Sequence, residues 1–137
     1  MHSSILFIGG ARSGKSRLAQ AEAERGADPL TYLATAQAFD DEMADRIARH
    51  RADRGPRWQT IEAPIDLAAA IRGVAAGTLL VDCLTLWLSN LMLGGHDVAS
   101  AREELVALVR QPPVPLIVVS NEVGMGIVPE TPLGRAF

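Results

Sequence analysis

Gly9-Gly10-Ala11-Arg12-Ser13-Gly14-Lys15-Ser16 lies between the apolar run Ile5–Ile8 and a stretch rich in Ala, Leu, Glu and Arg, Ser16–Arg25. The octet fits G-x-x-x-x-G-K-[ST], and its flanks read as the buried parallel strand and the helix that a phosphate loop joins. Glycines there let backbone N–H groups turn inward around phosphates, and the helix N-terminus adds positive potential. Lys15 is the only lysine in the 137-residue chain; the other twelve basic residues are arginines. A chain so biased toward arginine keeps lysine where a slim point charge must reach the β- and γ-phosphates. Lys15 is therefore expected on those phosphates and Ser16 on Mg²⁺. A ligand-free glycine turn is the plainer reading, but strand, loop, lysine and helix together weigh against it.

Working outward, Thr78–Val81 is an apolar run that ends in Asp82. A strand placed so sets a carboxylate at the carboxyl edge of the sheet, where phosphoryl-transfer sites of this type hold Mg²⁺. Many strands end in Asp merely as a turn former, so this signal gains weight only beside the loop. The guanine-reading motif Asn-Lys-x-Asp cannot occur, because the one lysine is already used. An ordinary small GTPase is thereby excluded.

The rest of the chain alternates strand and helix patterns. Leu30–Ala34 reads as a strand, and Asp40-Asp41-Glu42 opens a helix that runs to about Arg54 and stops at Gly55-Pro56. Trp58–Ile61 reads as a strand, Ile65–Ala76 as a helix, and Leu84–Leu93 as a helix apolar on most sides and hence buried all round. Val98–Arg110 is an amphipathic helix and Pro115–Ser120 a buried strand. This order predicts an α/β fold, a mostly parallel sheet with helices on both faces, as one domain over residues 1–137.

Bulk properties narrow the class. The chain is 48% hydrophobic and 21% charged with net charge −3, so no general basic field draws it to nucleic acid or a membrane. No run reaches the ~20 apolar residues of a membrane span, and the start lacks the basic n-region of a signal peptide. The single cysteine, Cys83, reads as a small buried hydrophobe and favours a reducing, cytoplasmic location. His2 and His96 read as exposed and inert.

Positive charge is concentrated locally: five arginines lie between Arg46 and Arg57. Arg46 and Arg54 stand four residues either side of His50, so all three share one helical stripe, with Arg49 and Arg51 beside it. Guanidiniums favour the neutral, nucleophilic imidazole and would neutralise a triphosphate. The arrangement suits a histidine that attacks phosphorus. It also suits a solvated helix face in an arginine-rich chain, and the residues alone leave both readings open.

The motifs GGARSGKS (9–16), Ala34-Thr35-Ala36-Gln37, Asp40-Asp41-Glu42-Met43, Arg46-Ile47 with His50, and NEVGMGIVPE (Asn121–Glu130) occur in this order. Together they resemble the bifunctional adenosylcobinamide kinase / adenosylcobinamide-phosphate guanylyltransferase family of cobalamin biosynthesis, over essentially the whole chain. The resemblance implies a RecA-like P-loop NTPase fold. It implies phosphorylation of adenosylcobinamide with ATP or GTP, then transfer of GMP from GTP to the new phosphate, giving adenosylcobinamide-GDP and pyrophosphate. It assigns the covalent guanylyl-histidine to His50. Family nucleotide contacts fall on Gly9, Gly10, Ala11, Arg12, Ser13, Gly14, Lys15 and Ser16, on Ala34, Thr35 and Ala36, on Arg51, Ala52, Asp53 and Arg54, and on Glu62 and Asp82. It implies a homotrimer with the nucleotide site near a subunit boundary. Family members continue past the Pro129-Glu130 motif through a further helix and strand that this chain is expected to lack.

Two other readings fit the residues. One is a plain P-loop kinase for a small metabolite, without covalent chemistry. The other is a non-catalytic nucleotide-binding module that gates assembly with a partner. Neither needs a nucleophile among phosphate-binding arginines. For the kinase step, Asp82 and Glu122 are the candidate bases, and Asn121–Glu130 reads equally as a rim for the corrinoid or as a loop that closes the core.

Overall fold

The computed structural model describes residues 2–10, 14–37 and 40–121. Among these residues ten elements follow the order the sequence predicts, strand and helix alternating except where α4 and α5 run on: β1 (Ser4–Gly9), α1 (Lys15–Glu24), β2 (Leu30–Ala34), α2 (Asp41–Arg54), β3 (Trp58–Glu62), α3 (Leu67–Arg72), β4 (Thr78–Asp82), α4 (Leu84–Leu93), α5 (Val98–Arg110) and β5 (Leu116–Asn121). The five strands form one sheet in the order β1-β5-β4-β2-β3, and every ladder is parallel. Parallel neighbours need crossover connections, which the helices supply.

Helices cover both faces. On one face, Ala19 and Ala23 of α1 pack without exposure against Leu80 of β4 and Ile117 and Val119 of β5. Small side chains let that helix lie close to the strands. On the other face, Leu67 and Ile71 of α3, Trp87, Leu88 and Leu91 of α4, and Leu105 of α5 cover Leu33, Leu79, Val81, Leu116 and Val118. The central strands are apolar on both sides because both sides are covered. Each fully buried Leu or Val contributes about 1.5–3 kcal/mol over an exposed one.

Local chemistry sets the helix ends. Gly14 precedes α1 at φ +79°, a left-handed conformation that only glycine adopts without strain. Asp40 caps α2, its Oδ1 accepting the Met43 N–H at 2.7 Å. Gly55, at φ +85°, ends the same helix.

Three expectations need correction. β1 is parallel but not buried: among the described residues it lies at the edge of the sheet, with Ile5, Leu6 and Ile8 exposed by 40%, 53% and 63%. The expected helix Ile65–Ala76 shortens to α3, because Gly73 caps it and Val74 turns inward. α4 is not buried all round; Trp87, Leu88, Asn90 and Leu91 face inward while Met92 and Leu93 are exposed. Apolar composition had hidden an ordinary one-sided helix.

Candidate functional site

Parallel register brings the chemistry to one edge. Ala34 of β2 stands level with Glu62 of β3 and Asp82 of β4, and Gly9 of β1 stands level with Asn121 of β5. All lie at the carboxyl ends of strands, where open α/β sheets bind ligands.

Lys15 starts α1, is only 6% exposed, and donates from Nζ to the Gly10 carbonyl at 2.7 Å. The ammonium closes on its own loop, positioned to exchange that carbonyl for a phosphate oxygen. Ala11, Arg12 and Ser13 lie outside the described residues, as do Glu122 and the remainder of the Asn121–Glu130 motif. Ser16 Oγ donates to Asp82 Oδ2 at 3.3 Å. The two expected metal ligands, 66 residues apart in sequence, therefore meet. A hydroxyl and a carboxylate form an oxygen donor set that suits a hard cation such as Mg²⁺.

Asp82 is held from two further directions. Tyr32 donates its hydroxyl to Oδ2 at 2.8 Å. Burial, and then the Asp82 charge, push the Tyr32 phenol far above its ordinary pKa, so it remains a donor. Thr35 fixes the backbone: its N–H meets the Asp82 carbonyl at 3.2 Å, and its Oγ accepts the Cys83 N–H at 2.9 Å. Cys83 is buried, its thiol pKa raised chiefly by that burial, as its reading as a small hydrophobe anticipates.

α2 carries His50 and stands apart, with none of its residues buried. A cavity lies on each side of it. The first, about 530 Å³, is lined by Ser16, Arg17, Gln20, Tyr32, His50, Asp53, Arg54 and Asp82. The second, about 590 Å³, includes Ala36, Ile47, Arg51, Ala52, Glu62 and Pro64 in its lining. Of the expected nucleotide contacts, Ser16, Asp53, Arg54 and Asp82 line the first hollow with His50, and Ala36, Arg51, Ala52 and Glu62 line the second.

Some expected contacts sit differently. Ala34 and Thr35 are buried, and the Thr35 hydroxyl is engaged with β4 backbone. Arg46 pairs with Glu42 at 3.7 Å instead of closing over His50. Arg54 lies flat on Tyr32, Cζ 3.5 Å from the ring centroid, and donates to Thr60 Oγ at 3.2 Å. Desolvation lowers its pKa from the usual guanidinium value. Tyr32, Arg17 and Gln20 are site residues that the sequence reading missed. Tyr32 left one signal: a phenol inside an apolar strand needs a hydrogen-bond partner.

Fold and site together define an α/β nucleoside-triphosphate-binding protein of the phosphate-loop class. A family model described as cobinamide kinase / cobinamide phosphate guanyltransferase matches residues 5–137. The chain belongs to that family, whose members are kinases and guanyltransferases. It is 50% identical over 136 residues to the bifunctional adenosylcobalamin biosynthesis protein CobP of Pseudomonas aeruginosa, covering 96% of this chain and 79% of that one. It is 41% identical over 151 residues to the bifunctional adenosylcobalamin biosynthesis protein CobU of Salmonella typhimurium, covering 97% and 82%. The protein of the same name from Escherichia coli is 38% identical over 150 residues, at the same coverage, 97% and 82%. No described helix is long and apolar enough to cross a membrane.

Proposed function

We propose that this chain phosphorylates the hydroxyl of adenosylcobinamide with ATP or GTP and then moves GMP from GTP onto that phosphate through His50. One observation carries the reading: His50 lines the same cavity as Ser16 and Asp82. A nucleophile and a triphosphate cradle share one space.

In the kinase step, Lys15 and the loop amides hold the β- and γ-phosphates in line for the attacking hydroxyl. Ser16 and Asp82 would hold Mg²⁺, which supplies charge neutralisation across the phosphates. The acceptor oxygen bonds to the γ-phosphorus, the bond to the bridging oxygen breaks, nucleoside diphosphate leaves with that electron pair, and the hydroxyl proton passes to water. In the transfer step, an imidazole nitrogen of His50 bonds to the α-phosphorus of GTP, and pyrophosphate leaves with the electron pair of the broken P–O bond. An oxygen of adenosylcobinamide phosphate then attacks the same phosphorus, the N–P bond breaks, and the imidazole is restored. Splitting the transfer in two predicts ping-pong kinetics for that half.

The trimer and the cytoplasmic location belong to the same reading. α2 buries no residue within the protomer, which supports a neighbouring subunit beside the His50 cavity. The lone cysteine supports a reducing compartment.

Incubation with α-labelled GTP tests the covalent step. The protein should acquire acid-labile, base-stable label that His50→Ala abolishes, while γ-label still reaches adenosylcobinamide. Label that persists in His50→Ala removes His50 from the mechanism. Transfer of γ-label with no protein label at all points to a plain kinase.

A further inference from the structure

Tyr32 touches both halves of the site. Its hydroxyl meets Asp82 Oδ2, the oxygen that also takes the Ser16 hydroxyl. No hydrogen bond among the described residues reaches Asp82 Oδ1. Among the described residues the carboxylate is thus pinned by one oxygen alone. The ring face of Tyr32 carries the guanidinium of Arg54, the last residue of α2 and one helical turn beyond His50.

The ring is itself held. Trp58 meets it edge to face, centroids 6.3 Å apart at 81°. The Trp58 indole N–H in turn donates to Glu24 Oε2 at 3.1 Å, tying it to α1. Arg54 Nε is buried with no hydrogen-bond partner among the described residues. The guanidinium forgoes that bond while lying on the ring, and its Nη2 group donates to Thr60 Oγ of β3 at 3.2 Å. Cation–aromatic contacts of this kind strengthen as they are desolvated.

We propose that Tyr32 is a positioning residue for both half-reactions. Its hydroxyl orients Asp82 toward the metal beside the phosphate loop. Its ring face seats the foot of α2, and so the height of His50 over the same cavity. The inference rests on the two-step reading above, but its two contacts are separable by substitution. Tyr32→Phe keeps the ring and loses the hydroxyl. Tyr32→Leu loses both. Arg54→Met strips the stack together with the Thr60 hydrogen bond, and Thr60→Val, which removes that bond alone, is its control.

The test uses the full chain with Mn²⁺ as the probe metal. Mn²⁺ affinity is read by electron paramagnetic resonance in the presence of a non-hydrolysable GTP analogue. Guanylylation is read as label from α-labelled GTP at saturating metal. Tyr32→Phe should bind Mn²⁺ about tenfold more weakly, yet take label at the wild-type rate. Arg54→Met should take label at least tenfold more slowly, and Thr60→Val should take it at the wild-type rate. Tyr32→Leu should show both defects, and Tyr32→Leu/Arg54→Met should label no more slowly than the slower single variant, because both remove one contact. Wild-type Mn²⁺ affinity in Tyr32→Phe overturns the carboxylate half of the proposal. Additive losses in the double variant, or wild-type labelling in Arg54→Met, overturn the helix half. If the wild-type protein takes no label, the guanylyltransfer reading itself fails, and the Mn²⁺ comparison still decides the role of the hydroxyl.

Discussion

Thr35 and Asp82 are joined through their main chains: the Thr35 N–H donates to the Asp82 carbonyl at 3.2 Å. The Thr35 hydroxyl completes the joint on Cys83, accepting its N–H at 2.9 Å and donating to its carbonyl at 2.8 Å. The residue is fully buried. The peptide that aims the Asp82 carboxylate is therefore held by the residue that follows β2 and not by β4 alone. Thr35→Val keeps shape and removes the hydroxyl, leaving the Cys83 N–H bare. A loss of about 1–3 kcal/mol is expected, read as a lower urea midpoint. An unchanged midpoint would show that the joint carries no stability.

Lys15→Arg should be as poor as Lys15→Ala. The ammonium fits a buried position against the Gly10 carbonyl, and a planar fork in that place cannot make the same approach. Kinase turnover should fall about 10²–10³-fold in both variants, the usual effect of removing a donor to developing charge. Turnover of Lys15→Arg within tenfold of wild type would contradict this.

Asn90, on α4, ties two loops together. Its buried amide donates to the Thr35 carbonyl at 2.8 Å and the Pro64 carbonyl at 3.0 Å. Asn90→Leu keeps the branched heavy-atom skeleton, though with bulkier methyl groups, and leaves both acceptors dry, at about 1–3 kcal/mol each. Equilibrium unfolding should report the loss, and Asn90→Leu should be worse than the exposed control Met92→Leu. Equal stability of the two would show that solvent replaces the amide.

Asp97 caps α5, with Oδ1 accepting the Ser100 N–H at 3.1 Å and Oδ2 its hydroxyl at 3.0 Å. The Ser100 backbone bond, then the side-chain bond, lower the Asp97 pKa from the ordinary 3.8. A depressed folded-state pKa means a contribution present above the unfolded value and lost as pH falls through the folded one. Asp97→Asn keeps the cap and removes the charge. Wild type should therefore melt slightly higher at neutral pH, and the gap should close below the ordinary carboxylate range. A gap that persists unchanged into acid would assign the effect to shape rather than charge.

The fold was legible because its signals are local. The Leu30–Ala34 strand, the Asp40 cap and the stop at Gly55 each depend on neighbours within one or two turns, and each stands where the pattern puts it. Edge and centre of a sheet are not local properties. Ile5–Ile8 is at least as apolar as Thr78–Val81, yet among the described residues its strand has a ladder on one side and the other on both. The site was legible where a motif spans it, as for Lys15 and Ser16. Tyr32 was not, because its partner Asp82 lies 50 residues away. Arg54 shares His50's stripe by spacing, but a long side chain goes where burial takes it, here onto the Tyr32 ring.

The edge position of β1 has a consequence for binding. The phosphate loop is anchored at its amino end by a strand whose only described ladder is to β5. Grip on a triphosphate and retention of that strand are then a single equilibrium. Amides of Leu6 and Ile8 should exchange with deuterium more slowly once GTP is added, and the slowing should track nucleotide occupancy.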